Sequence, residues 1–190
     1  MKKREAHDRI RSVIEELERS PADAGKWFEL AALRNQHGQR RHVAATFERA
    51  YELDPSPKHA EAFAAALDRD GETDRAFRIV TERIAAGGAS VATLLQYGFW
   101  ATTLPNDPTR FENAEKALRA VLGNTSANKP RQRKQRSVAW ANLGNLYKKY
   151  GRLREAVDTY EKGLAENPGV DFLARNLASA SKRLNSASGT

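Results

Sequence analysis

Eight residues at fixed spacing constrain this chain more tightly than its composition does. They are Trp140, Leu143, Gly144, Tyr147, Gly151, Ala156, Tyr160 and Pro168. Trp140, Leu143 and Tyr147 stand three to four residues apart, which places them on one face of a helix. Gly144 lets a neighbouring helix approach closely. Gly151 permits a tight turn into a second, antiparallel helix. Ala156 and Tyr160 then form the facing stripe, and Asn167-Pro168 ends the second helix. The segment from about Ser137 to Val170 therefore reads as one helix–turn–helix unit.

This W-x2-L-G-x2-Y…G…A-x3-[FY]…P spacing resembles the tetratricopeptide repeat, departing at Gly163, where that family usually has Ala. The spacing recurs upstream, as repeat architectures require. Trp27, Leu30, Ala31, Gly38, Phe47, Ala50 and Pro55 outline a unit with Arg34 in place of Tyr and Val43 in place of Ala. Ala60, Phe63, Ala64, Leu67, Gly71, Ala76 and Val80 outline the next, with Arg83 for Ala and Gly88 for Pro. A third reads Leu94, Tyr97, Gly98, Ala101, Ala114, Leu118 and Val121, its inter-helix turn LPNDPTRFEN longer by about four residues, which surface turns tolerate.

The expected fold is an all-α solenoid of about ten helices, each pair burying its apolar face against its neighbours. The resemblance implies a right-handed superhelix. Residues 1–190 read as a single domain: an N-terminal half-repeat helix at 2–20, repeats at 24–56, 57–90, 91–126 and 137–170, a capping helix at 170–185, and a basic insertion at 123–136. The closing NSASGT reads as a frayed tail.

Composition narrows the function. Zero Cys removes disulfides, thiolate zinc sites and thiol catalysis, and makes the cytoplasm the expected compartment. No apolar run suits a membrane span. No phosphate-cradling Gly loop or HExxH is present, and His7, His37, His42 and His59 have no partner at ligand spacing. No catalysis, cofactor, metal or small-molecule substrate is expected.

The net charge of +8 is concentrated: Lys116 to Arg154 holds eleven Lys/Arg and no Asp or Glu. Within it, KPRQRKQR is surplus to the repeat. Pro130 suits a first helical turn, with Asn128 or Ser126 as cap. The helix carrying Trp140 is thus predicted to start near Pro130, the competing picture being a flexible basic loop from Gly123 to Arg136. Cations at a helix N-terminus cost a few tenths of a kcal/mol each, so local folding gives no reason for them and an anionic partner does. The candidate anionic-partner patch is Lys129, Arg131, Arg133, Lys134, Arg136, Lys148 and Arg152. Trp140 and Tyr147 belong to packing, which leaves Tyr150 as the spare ring beside it.

The family resemblance further implies a groove lined by the first helix of each pair. Here its candidates are Phe28, Glu61, Arg69, Leu95, Phe99, Asn145 and Lys149. In chaperone-binding members of the family a Lys and an Asn four residues apart grip a terminal carboxylate, helped by an Asn on the next repeat. Asn145 and Asn176 match the Asn positions, whereas Ala141 stands in place of the Lys, which argues against capture of an acidic chaperone tail. The expected function is a non-catalytic adaptor holding a protein or peptide segment, with a basic arm for an acidic partner. The alternative is a nucleic-acid-associated module that sets residues 129–136 on phosphates.

Overall fold

The computed structural model describes residues 3–39 and 42–188, and among these it is all-α, with ten helices and no strand. The start of the predicted half-repeat at Lys2 and the last two residues of the tail lie outside the described residues. The chain divides into two compact units, Met1–Gly88 and Ala89–Thr190.

The first unit holds α1 (Lys3–Arg19), α2 (Ala24–Gln36), α3 (Val43–Leu53), α4 (Pro57–Arg69) and α5 (Thr73–Ala85). Each helix packs on the next from α1 to α5. Asp23 caps α2 by accepting from the Lys26 amide at 2.9 Å. Ile10, Val13 and Leu17, at helical spacing on α1, meet Leu30 of α2, with Ile14, Trp27 and Leu33 around them. Arg34, at the position the repeat pattern gives to Tyr, donates to the Thr46 hydroxyl of α3 at 2.9 Å. A long polar side chain thus ties the two helices where a ring would have packed.

The second unit holds α6 (Val91–Thr103), α7 (Pro108–Asn124), α8 (Pro130–Lys149), α9 (Leu153–Glu166) and α10 (Asp171–Ser188). Here α8 is central, packing on α6, α7, α9 and α10. The apolar core comprises Tyr97, Leu118, Val121, Leu143, Leu146, Tyr147, Tyr160 and Leu173, all buried. Gly163 has a reason to depart from Ala: a Cβ there would stand 2.8 Å from Trp140 Cβ and 3.0 Å from Leu173 Cδ1. Gly151, at φ 75, makes the left-handed turn between α8 and α9.

Several local expectations change. The long α6–α7 turn is short, because α7 already starts at Pro108, with Asp107 accepting from the Arg110 amide at 2.7 Å. The helix at the C-terminus runs on through Ser188, so most of the predicted frayed tail is helical. α8 does start at Pro130, which removes the loop picture for its residues. Its N-cap, however, is Lys129 with no side-chain cap bond, not Asn128 or Ser126. Instead Gln132 reaches back and accepts from the Ser126 amide at 2.9 Å, while Ser126 accepts from the Asn128 amide at 3.3 Å.

Tyr150 is not spare. Its hydroxyl donates to the Asp107 carbonyl at 2.8 Å and accepts from the Asp107 amide at 2.9 Å. Beside it, the Lys149 ammonium donates to the carbonyls of Ala101, at 2.9 Å, and Leu104, closing the C-terminus of α6. Two consecutive residues of α8 therefore hold the end of α6 and the turn that follows. Lys149→Met is expected to lower the unfolding free energy by about 1–2 kcal/mol, the size of a lost charge-assisted hydrogen bond. Urea denaturation checks this, and an unchanged midpoint would return Lys149 to the pool of free surface cations.

Candidate functional site

The groove candidates of the first unit are mostly engaged by their own surroundings. Phe28 meets Phe47 edge-on at 5.3 Å and His59 at 5.1 Å, with the Lys58 ammonium 4.0 Å from its ring centre. Its apolar character is therefore used within α2, α3 and α4. Glu61 is half-buried on α4. Arg69 is exposed; it donates to Ala65 O at 3.2 Å and to the Asn35 side-chain oxygen. Together with Asn35, Gln36, Gly38, Val43, Ala66 and Asp70 it lines a cleft of about 470 Å³.

The second unit keeps more of its candidates open. Phe99 of α6 is 49% exposed, the larger of two exposed large apolar side chains among the described residues, the other being Phe172 of α10. Leu95, one turn earlier, is half-buried, and its carbonyl accepts from the Asn142 amide of α8 at 3.0 Å. That bond and the Lys149 bonds pair Leu95 with Asn142 and Ala101 with Lys149, so α6 and α8 run parallel side by side. Phe99 thus sits level with the turn of α8 that carries Asn145. The Asn145 oxygen accepts from the Tyr160 hydroxyl at 2.8 Å, which fixes the amide's orientation. Asn176 is half-buried on α10, which packs on α8.

The basic candidates split into two groups. Arg136 belongs to the fold. Its side chain is 13% exposed and forks onto Glu166 at 2.7 and 2.5 Å, while its other end donates to Thr125 O at 2.8 Å and to Leu122 O. It therefore joins α8, the end of α7 and the end of α9, against the expectation that local folding gave it no role. Hydrogen bonds from Arg136 hold the Glu166 carboxyl below its ordinary range. Arg152 pairs with Glu155 and lies over the rings of Tyr147, at 4.7 Å, and Phe111, at 4.9 Å. Burial and the neighbouring Glu115 carboxylate push the Tyr147 phenol up to about 12, so it stays neutral. Arg133 is exposed but donates to Ala127 O at 2.9 Å, bracing the α7–α8 loop.

Lys129, Arg131 and Lys134 are exposed, and among the described residues no carboxylate pairs with any of them. Lys148 is half-buried, and both burial and the Arg183 cation of α10 lower its proton affinity. The sequence reading missed Arg183. The signal available for it was its place two helical turns after Asn176, on the same face of α10. The two units also differ in charge: Met1–Gly88 holds sixteen Lys/Arg and sixteen Asp/Glu, Ala89–Thr190 sixteen and eight. The whole net charge of +8 thus belongs to the second unit.

Among the described residues no cluster of three metal-ligating side chains occurs, and no helix is long and apolar enough to cross a membrane. The family model for the tetratricopeptide repeat matches residues 137–170, the unit built by α8 and α9. The small glutamine-rich tetratricopeptide repeat-containing protein 2 of Mycosarcoma maydis is 28% identical over 102 residues, which is 51% of this chain and 29% of that protein. The chain therefore spans well under half the length of that relative. Among solved structures, YrrB, described as a tetratricopeptide-repeat protein with an unusual peptide-binding site, superposes with a TM-score of 0.68 at 15% identity, over 91% of this chain and 84% of its own. A tetratricopeptide repeat protein from Parabacteroides merdae gives 0.67 at 16% identity, over 93% and 66%. Repeat spacing, helix pairing and these likenesses agree: residues 137–170 form a tetratricopeptide repeat, and the chain has the fold of tetratricopeptide-repeat proteins.

Proposed function

We propose that the chain is a non-catalytic interaction module that holds a polypeptide segment on its second unit, along α6 and α8. The observation that carries this reading is Phe99, which stands 49% exposed on α6, level with the oriented amide of Asn145. An exposed ring beside a main-chain-compatible amide suits an extended peptide: the ring takes an apolar side chain and the amide takes backbone groups. The basic start of α8 extends the same face toward an acidic part of the partner. The first unit contributes less, because Phe28 is already enclosed by Phe47, His59 and Lys58. Nucleic acid has fewer contacts available than the sequence offered, since Arg133 and Arg136 are occupied within the fold.

Phe99→Ala tests the reading. Truncating a half-exposed ring is expected to change stability by less than about 1 kcal/mol and to weaken partner capture by about tenfold or more, as for a central aromatic anchor. Thermal unfolding and quantitative co-precipitation measure the two effects. A large loss of stability with unchanged capture would assign Phe99 to packing and remove the proposed site.

A further inference from the structure

Among the described residues, two pairs of cations on the second unit have no carboxylate paired with them. One pair is Arg131 and Lys134, exposed on the first two turns of α8. The other is Lys148, near the end of α8, and Arg183 of α10, the helix that packs on α8; burial and the Arg183 cation together lower the proton affinity of Lys148. Like charges held together across two helices destabilise the fold that holds them. Arg119, Arg136 and Arg152 of the same unit each have a glutamate, so the unit does pair its cations where they serve structure.

The pairs are aligned. At 100° per residue, Arg131, Lys134, Asn145 and Lys148 fall within an arc of about 100° on α8, and about 21 Å of helix rise separates Lys134 from Lys148. Asn145 lies between the two poles, and the exposed Phe99 stands level with it on α6. The nearby ring of Tyr147 is buried under Arg152, and that of Tyr150 packs on Phe111, so neither offers bases a stacking surface along this face. The amide between the poles suits a peptide main chain. The excess of positive charge is confined to this unit.

From this arrangement we infer that the α8 face is a two-pole docking surface for an acidic polypeptide segment, with Arg131 and Lys134 receiving one group of carboxylates and Lys148 with Arg183 the other. The inference rests on the proposed peptide-binding role of the second unit and adds the partner's chemistry to it. An extended chain spans about 20 Å in about six residues, so the partner carries two acidic clusters at about that separation.

The test is fluorescence anisotropy of the full chain with a labelled peptide bearing two Glu pairs about six residues apart and one Leu between them. The controls are the same peptide with Gln for Glu, and a single-stranded oligonucleotide. The Glu peptide is expected to bind, and to weaken as salt rises from about 50 to 500 mM. Lys148→Gln with Arg183→Gln, and separately Arg131→Gln with Lys134→Gln, are each expected to weaken it about tenfold, as lost interfacial charge contacts do. The Lys148/Arg183 variant should also unfold at an unchanged or higher temperature, since it relieves a repulsion. Equal binding of the Gln peptide, with sensitivity to Phe99→Ala, overturns the acidic partner while leaving the peptide-binding role standing. No binding of the Glu peptide at low salt, or binding of the oligonucleotide alone, overturns the inference.

Discussion

Gly144→Ala is expected to lower the unfolding free energy by about 2–3 kcal/mol, although it puts a better helix former into the middle of α8. A Cβ at this position would stand within van der Waals contact of three atoms of the Tyr160 ring, at 2.6 Å from Cζ and 2.7 Å from Cδ1. Real side chains do not tolerate such distances, so the ring or the helix must move. The ring has little freedom. Tyr160 is fully buried, and its hydroxyl donates to Asn145 at 2.8 Å. Moving the helix would strain the contact between α8 and α9 along its whole length. Overpacking of this kind costs about 3–4 kcal/mol, above the usual range, and the helix preference of Ala returns about 1. Gly123 provides the internal control. It lies in α7 with nothing within 4 Å of an added Cβ, so Gly123→Ala should gain about 0.5–1 kcal/mol. Urea titrations followed by tryptophan fluorescence compare the two. If both substitutions stabilise, α8 and α9 do not approach as closely as the geometry states. Rescue of Gly144→Ala by a smaller residue at 160 would locate the clash in the Tyr160 ring.

This close approach was legible in the sequence because it repeats. Trp140, Leu143, Gly144 and Tyr147 announce the helix face through their period, and Gly98 against Leu118 repeats the same device in α6 and α7. The start of α8 was legible for a different reason: Pro130 lacks an amide hydrogen and suits a first turn. The polar ties were not legible. Arg136 and Glu166 are thirty residues apart, and Tyr150 and Asp107 forty-three, so no local spacing connects them. A basic run read along the chain looks uniform, but folding turns one of its arginines inward and leaves its neighbours exposed. The candidate site was correspondingly half-visible. Phe99 and Asn145 follow from repeat position, whereas the approach of Arg183 to Lys148 depends on how α10 packs on α8.

Arg136→Gln is expected to cost about 2–3 kcal/mol, and the loss should depend on pH in a definite direction. The substitution removes two bonds to Glu166 and leaves the carbonyls of Leu122 and Thr125 without their donor, in a setting only partly open to water. Broken pairs that are wholly buried cost about 3–5 kcal/mol, and partial solvation of this one brings the figure down. Glu166 sets the pH dependence. Its carboxyl is depressed below the ordinary value of 4.5, chiefly by hydrogen bonds from Arg136. A group whose folded pKa is lowered contributes stability that is fully present above its unfolded pKa. That contribution disappears as pH falls through the unfolded value toward the folded one. The guanidinium itself is shifted upward by the same contact and remains charged throughout. The gap between the native chain and Arg136→Gln should therefore be widest near neutral pH and narrow below about 4.5. A residue should persist in acid, because the two carbonyl bonds do not titrate. Unfolding free energies from urea titrations at pH 7 and at pH 3.5 measure both parts. A gap of equal size at the two pH values would assign the whole effect to the α7 carbonyls. In that case Arg136 serves as a helix-end cap, and its pairing with Glu166 adds nothing to stability.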